Sequence, residues 1–74
     1  MNQVTNIPKQ ELNPGHYLEL MDRLHVIMCT IDDHISKHPV TESDTRVKSL
    51  VNKALEDLWD AYQIAGELEY ESSK

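Results

Sequence analysis

Cations that could hold an anionic ligand stand near the start of the second of two segments with helical apolar periodicity. Arg46 and Lys48 fall in its first turn, beside backbone N–H groups that a helix leaves unpaired. Such N–H groups and positive side chains together favour phosphate or carboxylate binding. Arg23 is a further donor, and Tyr17 and Trp59 offer rings on which a base can stack. These five residues are the predicted ligand-binding residues.

Two histidines have a spacing that metal sites use. His34 and His38 are four residues apart, which on a helix places two imidazoles on one face. Pro39 follows directly, however, and disfavours helical geometry at His38. We therefore interpret the pair as polar residues that finish a helix, where cationic histidine suits the helix dipole. No metal site and no cofactor is expected.

Pairs of carboxylates also occur along the chain, as they do in all-α nucleotide pyrophosphohydrolases. Magnesium-dependent hydrolysis needs several carboxylates that converge on one cavity. Here they lie around solvent faces and alternate with bases, as in Glu19-x-x-Asp22, Asp32-Asp33 and Glu56-Asp57-x-x-Asp60. The sequence therefore predicts no catalytic residues and a protein that is not an enzyme.

Composition narrows the class of protein further. The net charge of −6 argues against binding along a nucleic acid backbone. The single cysteine, Cys29, permits no intrachain disulfide and fits a reducing compartment. No apolar run approaches membrane-spanning length, and residues 1–8 lack the features of a signal peptide. A cytoplasmic setting is expected, in a cell or in the host of a virus.

The elements that must position these residues are two helices. Residues 1–13 form a polar arm, interrupted by Pro8, and helix one is predicted over about 14–38. Asn13 suits the N-cap and Pro14 the first helical position. The apolar seam of helix one then steps by four and three residues: Tyr17, Met21, Leu24, Met28, Ile31 and Ile35.

Helix two is predicted over about 42–66, after a short turn at 38–41 that contains Pro39. Thr41 to Asp44 resembles a capping box, so the helix is expected to start near Thr41 or Ser43, and Gly66 is a candidate C-cap. Its predicted core face is Val47, Val51, Ala54, Leu58, Ala61, Ala65 and Leu68. The predicted flanks are Leu50, Leu55, Tyr62 and Ile64. Residues 71–74 are expected to fray.

The predicted architecture is an all-α antiparallel hairpin over residues 14–70. Two helices alone cannot cover both of their apolar faces, so we expect an oligomeric helical bundle, with two hairpins as the simplest closed form. The expected partner is thus a second copy of the chain. The predicted oligomer interface consists of Leu24, Met28, Ile31, Leu58 and Tyr62.

Helix two resembles the second helix of the phage anti-CBASS cyclic-oligonucleotide sponges. The resemblance rests on Asp44-Thr45-Arg46 followed by Asn52-x-Ala54-Leu55-x-x-Leu58-Trp59-x-Ala61-Tyr62-x-Ile64-Ala65. Leu20-Met21-Asp22-Arg23-Leu24 is similar to the first helix of that family. His25 and Gln63 depart from the family pattern, which has a lysine and an arginine there. The resemblance implies an oligomer of hairpins that sequesters cyclic di- or trinucleotides and blunts bacterial immune signalling.

Two alternatives remain open. The segment Asn52-Lys53-Ala54-Leu55-Glu56 resembles, in its leucine, the Ser-Gln-x-Leu-Asp motif of small sporulation-phosphorelay phosphatases, which are also hairpins. The other alternative is a small acidic interaction module, or a phage inhibitor, that binds a host protein. Its binding surface would include the acidic end of the chain, residues 54–74, which carries six carboxylates and one base, Lys74.

Overall fold

The computed structural model describes residues 12–72, and every element within that range is a helix. Helix α1 spans Pro14–Thr30 and continues into one stretch of π-helix, Ile31–Ser36. A short helix α2 spans Pro39–Ser43, and the long helix α3 spans Thr45–Ser72. Helix α1 packs along α3 in a hairpin. The all-α class is confirmed, whereas residues 1–11 of the predicted arm and residues 73–74 of the tail lie outside the described range.

The start of α1 is built as the sequence predicts. Asn13 is the N-cap, and its side-chain oxygen accepts a hydrogen bond from the His16 backbone N–H at 3.3 Å. In return, His16 Nδ1 accepts a hydrogen bond from the Asn13 backbone N–H at 3.1 Å. This is a capping box in which histidine replaces the usual glutamate. Pro14 follows, where its missing N–H costs nothing.

The end of helix one differs from the prediction. Regular α-helix stops at Thr30 rather than near residue 38, and the π-helical stretch to Ser36 completes the helix. Pro39 holds His38 in an extended conformation (φ −66°, ψ 139°), as expected for a residue before proline. His38 Nδ1 then accepts a hydrogen bond from the Val40 N–H at 3.1 Å, so this histidine caps α2.

The start of helix two also differs. Thr41 is buried inside α2 and does not cap the long helix. Asp44 has an extended conformation (φ −105°, ψ 115°) and separates α2 from α3. The Asp44 carboxylate accepts hydrogen bonds from the N–H groups of Arg46 (2.9 Å) and Val47 (3.2 Å). Asp44 is therefore the residue that caps α3, which begins at Thr45.

Gly66 is not a C-cap, since α3 continues through it to Ser72. Its role is close packing. A Cβ atom at position 66 would lie 3.4 Å from Met21 Cε, at the close limit of ordinary van der Waals contact. Gly66 thus lies directly beside the Met21 side chain of α1.

The seam between α1 and α3 uses the predicted residues of helix one from Tyr17 to Ile31. On helix two the predicted Val47, Val51, Leu58, Ala65 and Leu68 are buried or half-buried, but two predicted core residues are replaced by two predicted flanks. Ala54 and Ala61, predicted in the core, are exposed, and Leu55 and Tyr62, predicted as flanks, are half-buried against α1. The observed stripe on α3 is Val47, Val51, Leu55, Leu58, Tyr62 and Ala65. Turning the larger side chains towards α1 removes more apolar surface from water than turning the alanines there would. On α1, Ile35 stays 44% exposed.

The hairpin has very little closed core. Among residues 12–72, Ala65 is the one hydrophobic residue that is fully buried, and no large side chain is completely buried. Ten large hydrophobic side chains are exposed, Leu50 by 71% and Ile64 by 55%. Chains of this size rarely fold on so small a core without a staple or a partner. Within the described helices, none has the length and apolar character needed to cross a membrane.

Asp44 makes the stability of the hairpin depend on pH. Its hydrogen bonds from the Arg46 guanidinium, and then from the Val47 N–H, hold the pKa of the carboxyl below its ordinary value of 3.8. A group with a lowered pKa stabilises the fold above its unfolded pKa, and this contribution is lost as the pH falls through its folded pKa.

We therefore expect Asp44→Ala to melt at a lower temperature than the parent at neutral pH. The gap should narrow once the pH falls below 3.8 and the parent carboxyl is protonated. Asp44→Asn is the matched control, because asparagine keeps the cap acceptor but loses the charge. Melting followed by circular dichroism across pH tests this, and a gap independent of pH contradicts it.

Candidate functional site

A stacked pair of aromatic rings marks one flank of the hairpin. Trp59 and Tyr62 lie one turn apart on α3, with ring centroids 5.5 Å apart and planes inclined by 7°. Trp59 is 52% exposed, so one broad apolar ring surface faces solvent. We call this flank the aromatic face, defined by Leu18, Met21, Trp59, Tyr62, Gly66 and Tyr70. Exposed tryptophan and tyrosine surfaces are typical of binding sites.

An open groove runs along the aromatic face. Met21, Tyr62, Gly66 and Tyr70 line it, together with Gln63, Glu67 and Glu71. Because Gly66 has no side chain, the groove stays open between Tyr62 and Tyr70. A shallower depression adjoins it, and there Tyr62 lies beside Leu18, Met21, Asp22 and His25 of α1. Tyr62 thus lines both depressions, and Trp59 stacks on Tyr62 beside them.

The charge of this cleft is negative. Glu67 and Glu71 line the groove, Asp22 lines the adjoining depression, and neither depression is lined by lysine or arginine among residues 12–72. A phosphate placed on the aromatic face of one hairpin would meet carboxylates with no lysine or arginine beside them. An anion bound there would need cations from outside these two depressions.

Most of the described cations already have a carboxylate partner. Ion pairs join Arg23 to Glu19 (3.3 Å), Lys37 to Asp33 (3.6 Å), Arg46 to Asp44 (3.1 Å) and Lys53 to Asp57 (3.3 Å). Within residues 12–72, Lys48 is the cation that makes no ion pair. It lies on an outer groove of α3 that Ser49, Asn52 and Lys53 also line.

The predicted anion site at the start of α3 is filled by the chain itself. Asp44 takes the N–H groups of Arg46 and Val47, and the Arg46 guanidinium donates to both oxygens of the same carboxylate. A ligand phosphate would have to displace this carboxylate. Lys48 is therefore the more available donor of the predicted pair.

The five predicted ligand-binding residues do not meet within one chain. Arg46 and Trp59 are thirteen residues apart on α3, which is about 20 Å along the helix axis. Tyr17 is half-buried near the start of α1, and Arg23 is exposed and paired with Glu19. A site that combines these residues must use more than one hairpin.

The five predicted interface residues occupy the seam inside the hairpin. Leu24 and Met28 of α1, Ile31 of the π-helical stretch, and Leu58 and Tyr62 of α3 are each half-buried in this single chain. Each therefore keeps part of its surface exposed. The more exposed apolar residues lie to either side of them.

Metal-ligating residues do not cluster in the described part of the chain, where no group of three or more His, Cys, Asp or Glu side chains could hold an ion. The Cys29 sulfur lies 3.8 Å from His25 Nε2. His25 and Cys29 are four residues apart, so helical spacing alone would have signalled that contact. The same spacing, in Tyr62, Gly66 and Tyr70, would have signalled the groove.

Comparison with models of protein families, with characterised proteins and with solved structures gives no match for this chain.

Proposed function

We propose that this protein is a non-enzymatic binding protein that assembles from helical hairpins and sequesters cyclic di- or trinucleotides between its subunits. The observation that supports this most is the stacked Trp59–Tyr62 pair, half-exposed beside an open groove. Base stacking on such rings contributes about 1–3 kcal/mol per base. The resemblance of α3 to the anti-CBASS sponges supplies the ligand class, and a phage counter-defence role in the host cytoplasm follows from it.

Assembly is part of this proposal because one hairpin supplies only half of a nucleotide site. Its aromatic face has rings but a carboxylate rim, whereas Arg46 and Lys48 lie at the opposite, turn end of α3. A neighbouring hairpin that brings its turn end to the aromatic face would add the missing donors. The thin core of the isolated hairpin supports the same conclusion.

Lys48 is the phosphate donor in this proposal. We expect Lys48→Glu to weaken binding of a cyclic dinucleotide at least about tenfold, because a charge-assisted hydrogen bond contributes about 1.5–3 kcal/mol. The measurement is the thermal shift of the purified chain with cyclic di- and trinucleotides, since a ligand that binds only the folded state raises the melting temperature.

Lys37→Glu is the matched control, with the same change of charge at a lysine already paired with Asp33. It should keep the parent's thermal shift. A properly folded parent that shows no shift with any cyclic nucleotide contradicts the sponge proposal.

The acidic rim favours a second candidate function, binding of a basic segment of a host protein. Glu67 and Glu71 line the groove beside Tyr62 and Tyr70, an arrangement suited to an amphipathic helix that carries lysine or arginine. In that case Glu67→Lys would abolish partner binding and Lys48→Glu would leave it intact. In the sponge, Glu67→Lys would preserve or strengthen nucleotide binding.

A further inference from the structure

The flank opposite the aromatic face carries a second apolar stripe with coiled-coil spacing. On α3, the exposed or half-exposed residues of this stripe step by four and three: Leu50, Ala54, Asp57, Ala61, Ile64 and Leu68. On α1 the same steps join Leu20, Arg23 and Ile27. Leu20 and Ile27 are 48% and 50% exposed. We call these two stripes together the alanine face. Such spacing is typical of a surface that packs against another helix.

The register of the hairpin aligns the two stripes. Tyr62 lies beside residues 18–25 of α1, so Leu20 and Ala61 stand at about the same level of the hairpin. Seven residues further along α1 and seven residues back along α3, Ile27 is level with Ala54, and Arg23 is level with Asp57 in between. These three levels of the alanine face therefore hold either one large and one small residue or one cation and one carboxylate.

We propose that the alanine face binds the alanine face of a second copy of this chain, with the two-fold axis parallel to the helices. In this aligned dimer, α1 of each copy packs on α3 of the other, and residues at one level meet. Leu20 then meets the partner's Ala61, and Ile27 meets the partner's Ala54. The large side chains fill the space that the alanines leave.

Charge complementarity selects this arrangement over its competitor. In a reversed dimer, with the axis perpendicular to the helices, α3 would pack on α3 and α1 on α1. That places Asp57 against the partner's Asp57 and Arg23 against the partner's Arg23 in the middle of the interface, where like charges are strongly unfavourable. In the aligned dimer, Arg23 meets the partner's Asp57 twice. Within one chain, Arg23 pairs with Glu19 and Asp57 pairs with Lys53. These are exposed ion pairs along one helix, which contribute little stability.

The size of the alanine face is adequate for a dimer. From Leu50 to Leu68 it extends about 27 Å along α3, and from Leu20 to Ile27 it extends about 10 Å along α1, each helix being about 10 Å wide. Since accessible surface exceeds this projected area, two copies bury an area near the lower limit of about 1,200 Å² for specific interfaces. The aromatic faces stay outside this contact, where the turn end of a further hairpin can still reach them.

This inference rests on the proposed assembly of hairpins, and cysteine cross-linking tests it separately from ligand binding. In a full-length Cys29→Ser background, Leu20→Cys protein is mixed with Ala61→Cys protein and oxidised. Neither variant can form an intrachain disulfide. The aligned dimer predicts a covalent heterodimer of the two. The reversed dimer predicts cross-linking of Ala54→Cys with Ala61→Cys instead.

A charge exchange provides a second readout by sedimentation. Arg23→Glu should weaken dimerisation at least about tenfold, because it sets a carboxylate against the partner's Asp57. The double variant Arg23→Glu, Asp57→Arg should restore it. Two outcomes overturn the aligned dimer and leave the proposed function standing: cross-linking between positions 54 and 61, or an oligomer without the 20–61 cross-link. A folded monomer of the parent overturns the aligned dimer and the proposed function together. A cross-linked dimer that binds no cyclic nucleotide overturns the sponge proposal alone.

Discussion

Leu24→Asp is expected to abolish cooperative folding of this protein. Leu24 lies in the middle of the seam on α1, half-buried against α3. The substitution removes its apolar contact and forces a carboxylate into the seam, a combined cost of about 3–5 kcal/mol. A small domain is stable by only about 0.05–0.15 kcal/mol per residue, so this cost approaches the whole stability of the chain. Circular dichroism should show loss of helix and of a sharp melting transition.

Val26→Asp is the matched control for Leu24→Asp. Val26 lies on the same helix but is 54% exposed, and the change introduces the same charge. Its melting temperature should stay within a few degrees of the parent, because exposed substitutions typically change stability by less than about 0.5 kcal/mol. Similar melting of the two variants would show that the seam does not hold the hairpin together.

Ala61→Lys is expected to dissociate the assembly and thereby to lower the melting temperature of the hairpin, whose own core is small. Ala61 is exposed in the hairpin, so a longer side chain meets no obstacle inside one chain. In the aligned dimer, the lysine would displace Leu20 of the partner and bring an ammonium group into an apolar contact, twice per dimer. A cost of about 3 kcal/mol corresponds to roughly a hundredfold weaker dimerisation.

Gln63→Lys tests whether this effect belongs to the alanine face. Gln63 is two residues away on α3 and lines the groove of the aromatic face. The Gln63→Lys substitution should leave the dissociation constant of the dimer, measured by sedimentation, unchanged. The parent's melting temperature should rise with protein concentration, as it does for obligate oligomers, and that of Ala61→Lys should not. Equal dissociation constants for the parent and Ala61→Lys would place the contact elsewhere.

The helix start, the proline stop and the apolar seam of helix one can be predicted from the sequence because each depends on residues close to it along the chain. Asn13 and Pro14 start α1 as predicted, since a cap needs only the next three residues. Pro39 ends the first helix through its own ring and the residue before it. The α1 seam was predicted correctly from Tyr17 to Ile31 because helix one has one dominant apolar stripe.

Several similar local signals compete at the start and end of α3. Thr41, Ser43 and Asp44 are all good caps, and the residue that caps α3 is Asp44, whose carboxylate also binds the Arg46 guanidinium two residues on. This choice occupies the anion site that the sequence predicted at Arg46. Gly66 resembles a C-cap in sequence, but α3 continues through it to Ser72, and it lies beside Met21 across the hairpin.

The sequence by itself determined that this protein is all-α, with two amphipathic segments around a proline-containing turn. Only the tertiary structure decided which stripe of α3 faces α1. The stripes of Leu55 and Tyr62, and of Ala54 and Ala61, share the same heptad period, so periodicity cannot separate them. The larger side chains bury more apolar surface against α1, and the alanines are left outside. That decision creates both exposed flanks on which the proposed functions depend.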